Sequence, residues 1–216
     1  MRHGRDWSAR IGTPDVVALA GAVVAAVLCR AVIVANTPAS APVSDMAEYW
    51  TRGVYLFEHG ALYPDSWRMP GLPVWLATVF TLSGGASVDA ARLGNVAAAA
   101  VATALAYLVA RRTGSCARAL AAALVVALYP TLLLYSSLVA TESLVAVPVL
   151  VVFLAATLPG IAGAMVLGGS VGAAILVRPA SVALVPAALA SVVFAPPPNL
   201  DQPRPTPDGA VPDAGL

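Results

Sequence analysis

Asp45, Glu48 and Arg52 recur at i, i+3 and i+7, while Trp50, Gly53 and Phe57 fall roughly opposite them with Tyr49 between. If Ser44 to Glu58 forms a helix on a membrane surface, that spacing gathers the charges on one face and the rings on the other. Arg68 closes the same polar stretch, and Glu142 and Arg178 stand alone beside long apolar runs. A carboxylate can take a proton from a hydroxyl as general base, and a guanidinium can hold a lipid-linked phosphate through charge-assisted hydrogen bonds. Plainer readings exist for each. Glu48–Arg52 suits an ordinary surface pair, Asp45 or Ser44 a helix cap, and Glu142 a loop position after a capping Thr141. Arg178 suits a snorkelling anchor, and so does Arg30, a turn or two from the outer end of the first apolar run.

The elements that would carry these residues are membrane helices. The hydrophobic fraction is 59%, charged residues are 11% and the mean hydropathy is +0.83. Soluble domains carry about 25% charged residues. A net charge of +1 gives no basic surplus for nucleic acid. Cys29 and Cys116 lack paired spacing, and His3 and His59 are isolated, so no metal site or redox pair is expected.

Val16 to Ala35 is long enough to cross the roughly 30 Å hydrocarbon layer. Asn36 to Arg68 is polar and aromatic. Pro70 to Leu82 is too short to cross and reads as an interfacial helix with Pro70 at its first position and Trp67 and Trp75 at headgroup depth. Further crossings are expected at Leu93 to Ala110, at Ala119 to Tyr135 with a disturbance at Pro130, at two helices within Ser143 to Val177 broken near Pro159-Gly160, and at Pro179 to Ala195. Ala164, Gly168 and Gly172 form a row of small residues suited to helix packing. The expected fold is all-α: a polytopic helical membrane protein of about six transmembrane helices, with surface-lying helices in the first external loop.

Arg2, Arg5 and Arg10, with Arg111, Arg112 and Arg118, meet the positive-inside rule if all are cytoplasmic. Residues 1–13 are then a cytoplasmic N-terminus, 14–195 the membrane module with its external loop at 36–90, and 196–216 a Pro-rich, disordered cytoplasmic tail. The expected location is the cell membrane, with Glu142 and Arg178 on the same external side as the loop. Few mid-membrane charges and no paired repeats argue against a transporter.

The order of motifs resembles the N-terminal half of a GT-C superfamily membrane glycosyltransferase of the family 39-like kind, related to protein O-mannosyltransferases and to the lipid A aminoarabinose transferase. The residues are Ser44-Asp45-Met46-Ala47-Glu48-Tyr49, Gly60, Tyr63-Pro64, Arg68-Met69-Pro70-Gly71-Leu72-Pro73, Ala91-Arg92-Leu93-Gly94-Asn95, Tyr129-Pro130, Thr141-Glu142-Ser143 and Val177-Arg178-Pro179. The resemblance implies transfer of a sugar from a polyprenyl-phosphate donor to an acceptor on the external face, with no cofactor besides that donor. It implies Asp45 as general base, Glu142 as second acid, and Arg68 and Arg178 as phosphate contacts; Glu48 and Tyr49 are further residues expected to bind substrate or phosphate. Met46 stands where many members have a second acid. The expected partners are membrane lipid and the polyprenyl-phosphate sugar. A second reading is a non-catalytic membrane protein, a truncated or decayed transferase acting as scaffold or as half of a split enzyme with a second membrane subunit.

Overall fold

The computed structural model describes residues 11–65, 68–158 and 160–193. The expectations for Arg2, Arg5, Arg10, Trp67 and the tail after Ala195 fall outside them. Nine α-helices occur among the described residues: α1 (Thr13–Asn36), α2 (Asp45–His59), α3 (Gly71–Ser83), α4 (Val88–Thr113), α5 (Cys116–Leu128), α6 (Pro130–Tyr135), α7 (Thr141–Ala155), α8 (Gly160–Val177) and α9 (Leu184–Val193). A 3-10 turn, Pro179–Ala183, precedes α9. The described residues contain no strand, so this is an all-α protein.

Among the described residues, three helices are long and apolar enough to cross a membrane: α1, α4 and α8. The other expected crossings fall on shorter apolar helices, Cys116–Leu128, Thr141–Ala155 and Pro179–Val193. Local chemistry sets these lengths. Pro130 has no N–H and forces Tyr129 into an extended conformation, which ends α5 and starts α6 anew. Gly160, at φ +76°, follows the turn that ends α7. The segment expected at the interface forms the short helix α3, but Pro70 is its N-cap and not its first helical residue.

Helix directions alternate. The first turn of α1 meets the last turn of α4, where Arg111 Nε bonds Asp15 Oδ1 at 2.5 Å. The start of α4 meets the end of α1, where Arg92 donates to the carbonyls of Thr37 and Pro38. Helix α5 runs beside α1, with Cys116 near Pro14 and the carbonyl of Ala127 on Arg30. The α6–α7 connection returns to the start of α4, where Arg92 and Asn95 donate to the carbonyls of Ser137 and Leu138.

Large side chains point outward and small ones inward. In α1, Val17, Leu28 and Val32 are exposed while Ala22 and Ala26 are buried. Their counterparts on α5 are Ala119, Ala123 and Ala127, a small-residue row that allows close backbone approach. The row expected to do this, Ala164, Gly168 and Gly172, faces outward. Helix α8 instead buries Gly163, Leu167, Ser170, Val171 and Ala174, because the bulkier Leu167 and Val171 contribute more contact to α7.

Arg30 does not snorkel. It is fully buried and donates to the carbonyls of Ala26, Val126 and Ala127 at 3.2, 3.3 and 2.8 Å. The missing N–H of Pro130 leaves the Val126 carbonyl without its i+4 donor, and the guanidinium supplies one.

Candidate functional site

Helix α2 lies on α3. Trp50 and Phe57 meet Phe80 edge-on, with ring centroids 5.2 and 6.0 Å apart, and Met46 and Val54 pack on the same core of Leu72, Leu76 and Phe80. The rings therefore face the bundle, and the opposite face of α2 presents Asp45, Glu48 and Thr51. The helix begins abruptly. Ser44, its N-cap, has φ +54° and ψ −133° and makes no side-chain cap bond. That conformation is rare outside glycine and costs roughly 1–3 kcal/mol. Neither Ser44 nor Asp45 caps the helix, because the Asp45 carboxylate is turned to Arg68.

Arg68 is the centre of the site. Its Nη2 donates to Asp45 Oδ1 and its Nε to Glu48 Oε2, both at 2.6 Å, and its guanidinium carbon lies 5.6 Å from the centre of the Tyr49 ring. The hydrogen bond from Arg68 holds the Glu48 carboxyl below its ordinary range, and the same bond pushes the Arg68 guanidinium above its own. The expected Glu48–Arg52 pair is loose, at 4.0 Å. Arg52 instead bonds Asp65 at 2.5 Å and lies 5.1 Å from the Tyr63 ring centre. Arg68 wins Glu48 because Arg52 is anchored lower, with its Nη1 on the Glu48 backbone carbonyl.

Glu142 and Arg178 meet each other. Arg178 Nη1 donates to Glu142 Oε1 at 3.1 Å, and Thr141 Oγ1 lies 3.3 Å from Glu142 Oε2 instead of capping α7. The two charge clusters share one end of the bundle because α3 and α8 touch there. A Cβ on Gly71 would fall 2.6 Å from the Leu176 carbonyl oxygen and 2.8 Å from Val177 Cα, so only glycine permits the contact. Arg68 lies three residues before this contact and Arg178 follows it directly. Three residues of chain span at most about 11 Å.

Two cavities meet at α3. A cleft of about 390 Å³ is lined by Arg52, Tyr63, Asp65, Arg68 and Pro70. A groove of about 500 Å³ with almost wholly apolar walls lies between α3, α7 and α8, lined by Pro70, Trp75, Leu144, Val151 and Leu176. Pro70 belongs to both.

All six residues singled out by chemistry thus lie at this end, in two clusters. Arg92 and Asn95 were not among them. Arg92 is 3% exposed and ties Thr37, Pro38 and Ser137 together, while Asn95 holds Leu138, so this pair fixes the loops that carry α2 and α7. Their i, i+3 spacing at the start of an apolar helix is the signal that would have found them.

The sequence model of the family described as dolichyl-phosphate-mannose-protein mannosyltransferase matches residues 68–204. Arg68, Glu142 and Arg178 lie within the matched span, whereas Asp45, Glu48 and Tyr49 precede it. No curated protein and no solved structure matches the chain. With more than half of its length matched, the chain belongs to the dolichyl-phosphate-mannose-protein mannosyltransferase family.

Proposed function

We propose that this protein is a glycosyltransferase, or the module of one that holds the base, moving a sugar from a polyprenyl-phosphate carrier to a hydroxyl acceptor at the external membrane face. The observation that carries the reading is the meeting of the Arg68 cleft with the apolar groove at Pro70. A polyprenyl-phosphate sugar has those two parts, a charged head and a hydrocarbon tail.

In this reading the donor phosphate takes guanidinium hydrogen bonds from Arg68, and Arg178 adds positive charge at the same end. Asp45 removes the proton of the acceptor hydroxyl. The freed oxygen attacks the anomeric carbon as the bond from that carbon to the phosphate oxygen breaks, with inversion. The proton stays on the Asp45 carboxyl, and polyprenyl phosphate leaves with its added charge held by Arg68. Glu142 orients the substrate from the facing cluster, and Tyr49 backs Arg68.

Arg68 is bound to both Asp45 and Glu48. A phosphate that recruits Arg68 loosens its hold on the Asp45 carboxylate, so donor binding precedes proton removal. Membranes carrying the full chain, given radiolabelled polyprenyl-phosphate mannose and a hydroxyl acceptor, test the reading. Transfer is expected with the native chain and lost in Asp45→Asn at equal protein level. Full transfer by Asp45→Asn would overturn the assignment of the base, and an inactive native chain that also fails to bind polyprenyl phosphate would favour a scaffold.

A further inference from the structure

Behind the Glu142–Arg178 cluster, a cavity of about 10 Å³ is lined by Arg30, Ala99, Ala102, Val126, Leu132, Ser143 and Ala146. Two of its lining residues carry a fully buried polar atom with no hydrogen-bond partner, Arg30 Nε and Ser143 Oγ. Both residues are almost wholly inaccessible, at 0% and 2% exposure. A buried polar atom without a partner is costly, and native proteins resolve nearly all such cases with protein groups or ordered water. A site for one water needs at least about 10–15 Å³ and two to four polar partners. This cavity is at the lower edge of that range and too small for any larger ligand.

We infer that Arg30 and Ser143 bind one water molecule in this cavity, and that the bridge fixes the first turn of α7, from which Glu142 projects, to the α1–α5 pair. Arg30 Nε–H donates to the water oxygen, and the Ser143 hydroxyl exchanges a hydrogen bond with the same molecule. Nη1 spends both of its N–H groups on the carbonyls of Ala26 and Ala127 and Nη2 spends one on Val126, whereas Nε is the guanidinium nitrogen with no partner. The alanines around it supply no polar atom that could replace the water. Ser143 directly follows Glu142, so the bridge holds the turn that aims the carboxylate at Arg178. Its bearing on transfer rests on the function proposed above, but its structural content does not, so the tests below read the bridge whether or not transfer is found.

A high-resolution structure of the full chain in a lipid nanodisc should show a density peak within about 3.2 Å of both atoms. An empty cavity at a resolution where other buried waters are visible would overturn the inference. In detergent, Ser143→Ala should lower the thermal midpoint in the native background and leave it unchanged in Arg30→Met, because the bridge is already broken there. Equal losses in both backgrounds would overturn it. Arg30→Leu, which also has no donor, serves as the second background if Arg30→Met does not fold. Amide exchange over Thr141–Leu150 should quicken about tenfold in Ser143→Ala while that over α1 stays constant. Unchanged exchange at Thr141–Leu150 would remove the positioning role.

Discussion

An aspartate and an arginine meet at each end of this bundle, and the two meetings differ in how fully the carboxylate is used. At one end, Asp15 Oδ1 accepts from Tyr107 Oη at 2.7 Å and from Arg111 Nε at 2.5 Å, while Oδ2 accepts from Arg111 Nη2 and the Gly12 amide. Asp15 is 4% exposed. At the other end, Asp45 accepts one bond, from Arg68, and its side chain is 68% exposed. A saturated, enclosed carboxylate can only join helices. An open one with a single partner can exchange that partner for a substrate, so the same two side chains make a lock at one end and the proposed site at the other.

The sharpest way to break this comparison is to neutralise each aspartate. Asp45→Asn is expected to lower transfer from polyprenyl-phosphate mannose about 10²–10⁴-fold, the usual contribution of a general base, with little change in thermal midpoint. Asp15→Asn should do the reverse: a fall of several degrees in the thermal midpoint of detergent-solubilised protein, with activity per folded molecule kept. Interchanged outcomes would mean that the site and the lock have been assigned to the wrong ends.

Gly71→Ala sets a methyl group against the main chain of α8, which cannot yield as a side chain does. The expected cost is about 1–3 kcal/mol, read as a lower denaturation midpoint together with weaker binding of polyprenyl phosphate. Arg68→Lys keeps the charge but loses the fork that reaches Asp45 and Glu48 together. It should raise the donor KM about tenfold, the equivalent of about 1.4 kcal/mol, and by the same ratio at low and high salt, because the charge that salt screens is unchanged. Ser44→Gly is the smallest change. It relieves a positive φ and should stabilise the chain by up to about 1 kcal/mol.

Much of this arrangement was legible in the residues. Apolar runs marked the helices, Pro130 and Gly160 marked breaks, and the short run after Pro70 foretold α3. The gathering of Asp45, Glu48, Arg68, Glu142 and Arg178 at one end followed from counting helix directions. Partners were harder to read, because a guanidinium satisfied by carbonyls leaves no complementary residue in the sequence. Arg30 and Arg92 both spend their long-range hydrogen bonds on carbonyls at or just beyond a helix end, and the carboxylate nearest Arg92, that of Asp89 at 3.7 Å, does not reveal them. The outward face of α8 was missed because small residues permit close packing without requiring it, and the burial of Leu167 and Val171 decides which side turns in. The choice of Arg68 over Arg52 as the partner of Glu48 depends on a loop conformation that helical spacing does not encode.

The contact of Gly71 with Leu176 and Val177 has a mechanical consequence. Because main chain rests on main chain there, the pivot has no side chain to flex, and any tilt of α8 passes directly into α3. Arg178 rides on one arm and Arg68 on the other. Two cations more than a hundred residues apart in the chain therefore shift together, and the gap between them is held by the smallest residue in the site.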